Sequence, residues 1–127
     1  MRTAFAIAAV AIALAGPGRA PAHDDHPRAH RASVAVGVAE REWHISSYRA
    51  KVRPGTIRFN VTNFGEDAHN LQIVGPNGYR SAVTPDLRSH ERYTLTVSLR
   101  RQGVYRLLCT KPGHIKNGMR ASIRVRR

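Results

Sequence analysis

From Ser33 onward, apolar residues recur at every second position in short runs. Ser33 to Ala39, Trp43 to Arg49, Thr56 to Thr62, Asn70 to Val74, Tyr93 to Leu99, Val104 to Cys109 and Ala121 to Arg126 all follow this pattern. A period of two sends alternate side chains to opposite faces of a pleated strand, one face dry and one wet. Pro54-Gly55, Gly75-Pro76-Asn77-Gly78 and Gln102-Gly103 supply turn chemistry between runs. No stretch here sustains a helical period. The pattern predicts an all-β Greek-key β-sandwich of about seven to eight strands. Residues 79 to 90 carry the weakest pattern and are assigned an irregular excursion or a short helix. Trp43 and Ile45 are expected inside, His44 outside, and His90 in an exposed turn. Glu66 and Asp67 read as a solvated turn. Tyr105, just after Gly103, has the placing of the tyrosine that pins a Greek-key corner.

The chain opens differently. Met1-Arg2-Thr3 is a short positive start, Ala4 to Ala15 is unbroken apolar text, and Ala20-Pro21-Ala22 offers small residues for cleavage. That is the pattern of a secretory signal peptide, residues 1–22, and the apolar run is short of the roughly 20 residues a membrane span needs. Residues 23–32 contain His23, His26 and His30 and no apolar period, so they read as a flexible tail. Residues 33–127 form the one folded domain. The expected location is periplasmic or secreted, without stable membrane insertion.

An exported chain usually pairs its cysteines, yet this one has a single cysteine, Cys109. It begins the text Cys109-Thr110-Lys111-Pro112-Gly113-His114-Ile115-Lys116-Asn117-Gly118-Met119. A strand ending at Cys109 and a loop carrying His114 and Met119 would hold three donors together. His69, opening the Asn70 to Val74 run, would supply a fourth from a neighbouring strand. Thiolate, two imidazoles and a weak thioether make the ligand set of a blue-copper site. The expectation is one copper ion, cycling between Cu(I) and Cu(II), on His69, Cys109, His114 and Met119.

These residues and their surroundings resemble the cupredoxin family of small blue-copper proteins, of the azurin, plastocyanin and rusticyanin kind. The similarity covers roughly Ser33 to Arg127. It rests on Asn60-Val61-Thr62-Asn63 leading to Ala68-His69-Asn70, on Gly103 to His114, and on Gly118-Met119. The four-residue gaps from Cys to His and from His to Met look most like rusticyanin. The resemblance implies an equatorial plane of His69, Cys109 and His114 with Met119 axial. It also implies that Asn70 and Thr110 bond across the ligand loops, that the Asn70 N–H points at the sulfur, and that the Ala68 carbonyl lies opposite the methionine. The chain lacks the cysteine pair of azurin's disulfide and the second cysteine that a binuclear copper centre needs.

The formal charge is +13, and removal of Arg2 and Arg19 with the leader takes it to +11. Such a charge calls for an anionic partner. Arg49-Lys51-Arg53 and Arg120-Arg124-Arg126 fall at alternate positions, as on a solvated sheet face, and no nucleic-acid motif is present. The function that follows is single-electron transfer by a monomer. Its partner is an acidic redox protein such as a cytochrome or oxidase domain, approached through the His114 ring and a small patch of Pro112, Gly113 and Ile115. A copper carrier or sensor without redox turnover is the alternative. No pairing of nucleophile with base indicates an enzyme.

Overall fold

A computed structural model describes residues 33–127, so the expected leader and histidine tail lie outside the described residues. Eight strands form two four-stranded sheets. They are β1 (Val34–Arg41), β2 (His44–Ser47), β3 (Lys51–Val52), β4 (Gly55–Asn63), β5 (Gln72–Val74), β6 (Arg92–Leu99), β7 (Gly103–Leu108) and β8 (Arg120–Val125). The first sheet has the order β2-β1-β4-β6 and the second β3-β8-β7-β5. β1 and β4 run parallel, from Val34 beside Ile57 to Glu40 beside Asn63, while β4 and β6 run antiparallel. The chain therefore crosses between sheets repeatedly, and only β1–β2 and β7–β8 join consecutive strands within a sheet. The expected β-sandwich is the observed one.

The alternation in the sequence becomes the two faces of each strand. On β4, Ile57, Phe59 and Val61 are buried while Arg58 and Asn60 are exposed. Ile57, Phe59, Leu71, Ile73, Leu99, Leu107 and Ile123 fill the space between the sheets. Each such side chain contributes about 1.5–3 kcal/mol by leaving water. The Tyr105 hydroxyl donates to the Arg101 carbonyl at 3.0 Å, which is the expected corner bond.

β5 lies at a sheet edge, where backbone groups lack a neighbouring strand. The weakly patterned stretch, residues 79–90, supplies the partners. It forms no helix. The Thr84 and Ser81 hydroxyls accept from the Leu71 and Ile73 N–H groups, both at 2.9 Å. The Ser81 and Thr84 N–H groups donate in turn to the Ile73 and Leu71 carbonyls. Loop chemistry thus closes an edge that would otherwise be open.

Lys51 and Val52, which lie outside the expected runs, form the two-residue β3, paired in parallel with β8. One placement needs correction. Trp43 does not enter the core and is 41% exposed. Arg41 pairs with His44, so Glu42 and Trp43 form the tip of the β1–β2 hairpin. Alternation holds along a strand and stops at a turn, so Ile45 is buried and Trp43 is not.

Candidate metal centre

The site lies where β1, β4 and β7 end and β5, β6 and β8 begin. β7 delivers Cys109 immediately past its last residue, buried at the end of the core. The following loop folds back on itself. His114 N–H donates to the Lys111 carbonyl at 3.1 Å, Met119 N–H to the His114 carbonyl at 3.0 Å, and Cys109 N–H to the Met119 carbonyl at 3.3 Å. Met119 is fully buried beside the start of β8. His69 precedes β5 rather than opening a longer strand. An isolated bridge to Leu87 holds it, with backbone bonds of 3.1 and 2.7 Å.

The side chains converge. One donor atom each from His69, Cys109 and His114 lie within 4.8 Å of one another. The two Nδ1 atoms are 3.2 Å apart, and Cys109 Sγ is 3.3 Å from His114 Nδ1. Glu42 Oε1 is 3.1 Å from His69 Nε2. A carboxylate accepts, so Nε2 carries the hydrogen and Nδ1 presents its lone pair. Three electron-rich atoms thus face one point, at separations suited to a small ion about 2 Å from each. A soft thiol between two imidazoles, with a thioether on the same loop, fits copper better than a hard cation.

Protonation follows from burial and neighbours. Burial first, and then the nearby His69 ring, hold the His114 imidazole below its ordinary range, toward the neutral form that coordinates. Burial pushes the Cys109 thiol up, and backbone N–H groups of Asn70 and Lys111 oppose that shift. A cation held by Cys109 would favour the thiolate that burial disfavours.

Asn70 ties the two ligand segments together. Its Oδ1 accepts from the Thr110 N–H at 2.8 Å and the Thr110 hydroxyl at 3.0 Å, as expected. The backbone donor fixes the amide orientation, so Nδ2 donates to Asp86 Oδ1 at 2.9 Å. Asp86 Oδ2 also accepts from Lys111 Nζ at 2.6 Å. The Lys111 and Asn70 bonds hold the Asp86 carboxyl below its usual range.

The β1–β2 hairpin tip caps the site, a role absent from the sequence reading. Glu42 accepts from the Asp67 N–H at 2.8 Å as well as holding His69, and that backbone bond comes first in keeping its carboxyl ionised below the usual range. A side chain at Gly65 would strike the Glu42 carboxylate. Trp43 stands edge-on to the His114 ring, centroids 4.9 Å apart at 87°. Gly118, at φ +114°, lets the ligand loop pass close beneath the Trp43 carbonyl. His69 is fully buried and His114 partly exposed, so His114 is the imidazole nearer solvent. His44 and His90 are exposed and stand apart, and Glu66 and Asp67 form an exposed turn.

No protein-family model matches the chain. A blue copper protein of Pisum sativum is 30% identical over 67 residues, covering 52% of this chain and 35% of that protein. The chain thus matches about a third of the length of that curated relative. Among solved structures, auracyanin A of Chloroflexus aurantiacus has a TM-score of 0.61 at 17% identity, covering 75% of this chain and all of that one. Rusticyanin of Thiobacillus ferrooxidans has a TM-score of 0.60 at 18% identity, covering 74% and 77%. Reduced auracyanin of Roseiflexus castenholzii has a TM-score of 0.57 at 21% identity, covering 75% and 97%. The chain shares with these proteins the cupredoxin β-sandwich.

Proposed function

We propose that this chain is an exported mononuclear blue-copper protein that carries single electrons between redox partners and catalyses no reaction of its own. The observation that carries the reading is the convergence of His69 Nδ1, Cys109 Sγ and His114 Nδ1 within 4.8 Å at the end of a rigid sandwich. Those three atoms would hold the ion, with Met119 as the weak fourth ligand. Copper supplies a centre that changes oxidation state by one electron. The protein's part is to keep the donors still. β7, the self-bonded loop, the Asn70–Thr110 link and Glu42 all do so, and a site that does not rearrange exchanges electrons quickly.

Water is excluded from Cys109, His69 and Met119 by burial, and His114 gives the shortest route outward. Ile115 and Pro112 are exposed beside it, as expected, and Trp43 extends that apolar ground. A partner that meets this end comes within reach of the His114 ring. The partner is an acidic redox protein such as a cytochrome or oxidase domain, drawn by the net charge, +11 once Arg2 and Arg19 leave with the leader. Export rests on the leader pattern in residues 1–22. A potentiometric titration of the copper-loaded protein tests the reading. A reversible one-electron wave with rapid self-exchange by NMR line broadening is expected; irreversible reduction with copper release would favour the carrier instead.

A further inference from the structure

The sheet β3-β8-β7-β5 has a dry inner face and an outer face of one sign. Lys51, Arg106, Arg120, Arg124 and Arg126 are all exposed there. No Asp or Glu occurs on any of its four strands. None of these five cations has a carboxylate partner among the described residues. The described carboxylates lie on β1 and in the turns at 42, 66–67, 86 and 91.

The arrangement is not a neutral scatter. Lys51 and Arg124 stand directly opposite in the parallel β3–β8 pair, with their neighbours Val52 and Val125 turned inward. Like charges in that position destabilise a sheet. Arg106 lies one diagonal step from both Arg120 and Arg124 in the β7–β8 register. Val104, directly opposite Arg124, is 50% exposed among them. A face that keeps mutual repulsion breaks a local rule of sheet pairing, which is expected of a binding surface.

We propose that this sheet face docks the protein on an anionic lipid surface. Two open grooves meet at Val104, one along Lys51, Ser122, Arg124 and Arg126 and the other along Arg106, Pro76 and Tyr79, so cations border the places where phosphate headgroups would seat. Four of the five cations are arginine, whose planar fork matches phosphate. No helix among the described residues is long and apolar enough to cross a membrane. The face runs along the strands, whereas Cys109 and His114 lie at their ends. A protein lying on this side keeps its metal end at the rim, open to a partner. The inference rests on the sheet alone and stands whether or not copper binds.

The test is flotation of the full chain with vesicles of phosphatidylcholine, with and without phosphatidylglycerol. The apolar leader contributes equally to every variant, so the readout is the increment due to anionic lipid. A triple variant Lys51→Gln/Arg106→Gln/Arg124→Gln is compared with Arg58→Gln/Arg92→Gln/Arg100→Gln, which removes the same charge from exposed positions off this face. Each cation at a membrane surface contributes on the order of a fivefold gain, so the first variant should lose about 100-fold and the second less than about fivefold. Unchanged unfolding midpoints show that both fold. Equal losses, or no dependence on anionic lipid, would overturn the proposal. Binding to soluble polyglutamate with none to vesicles would also overturn it, and would assign the face to an acidic protein.

Discussion

Glu42 illustrates what a single carboxylate contributes at this site. It orders His69 through Nε2 and is itself held by the Asp67 N–H. Removing a partner that orients a ligating imidazole typically costs about 10–100-fold in metal affinity. Glu42→Leu is expected to fall in that range by competition titration, with Glu42→Gln, which still accepts a hydrogen bond, nearer wild type. Equal losses for both would mean charge rather than orientation dominates. Glu40 is the opposite case. It points inward from β1, is fully buried, and neither carboxylate oxygen finds a hydrogen bond. Burial pushes its carboxyl up to about 7 from an ordinary 4.5. The folded state therefore holds the proton more tightly than the unfolded chain. The stability this contributes is complete below about 4.5 and is lost as pH rises through about 7, by about 3 kcal/mol. Urea unfolding of the metal-free protein at pH 5 and pH 8 should show that fall, and Glu40→Gln should remove most of it. The candidate donors were legible because Cys109, His114 and Met119 sit in one short text of matched types. Glu42 and Asp86 were not, since their partners His69 and Asn70 lie 27 and 16 residues away and nothing in their local text marks them.

Element by element, alternation located the strands well and failed at their ends. β4 and β6 match the expected runs to within a residue at each end, because both faces of their pattern are long and unambiguous. Trp43 was placed inside because the period was carried one step into a hairpin tip. The segment after β5 could not be read at all, because its order comes from side-chain hydroxyls serving a distant backbone. Its role is testable. Thr84→Val keeps the shape and removes the acceptor for the Leu71 N–H, so it should cost about 1–3 kcal/mol in chemical denaturation. A neutral outcome would mean that the edge is closed by the backbone bonds alone. Phe59, fully buried on β4, gives the comparison from the core: Phe59→Ala should cost about 3–5 kcal/mol.

Across the whole molecule, charge and site are arranged on different surfaces. The metal end is mixed in sign: Glu42, Glu66, Asp67 and Asp86 lie there, and Lys111 is paired with Asp86. Lys51, Arg106, Arg120, Arg124 and Arg126, none paired with a carboxylate, gather on the outer face of the second sheet. In the proposed reading, attraction to an acidic partner would come from the field of the entire chain, and the contact itself would be apolar around His114, Ile115 and Trp43. Association should slow as salt rises, since charges separated by more than about 8 Å are screened at 0.15 M. Stopped-flow electron transfer with an acidic cytochrome domain across ionic strength checks this, and a rate indifferent to salt would contradict it. The sandwich holds three ligand donors at one of its ends and leaves a basic side exposed, a division that composition alone could not display.

The measurement that reaches the central claim most directly is the visible absorption and EPR spectrum of the Cu(II)-loaded protein beside Cys109→Ser. An intense blue thiolate-to-copper band with narrow copper hyperfine splitting is expected, both lost in the variant. A pale spectrum with ordinary hyperfine splitting, unchanged in Cys109→Ser, would place copper away from His69, Cys109, His114 and Met119 and contradict it.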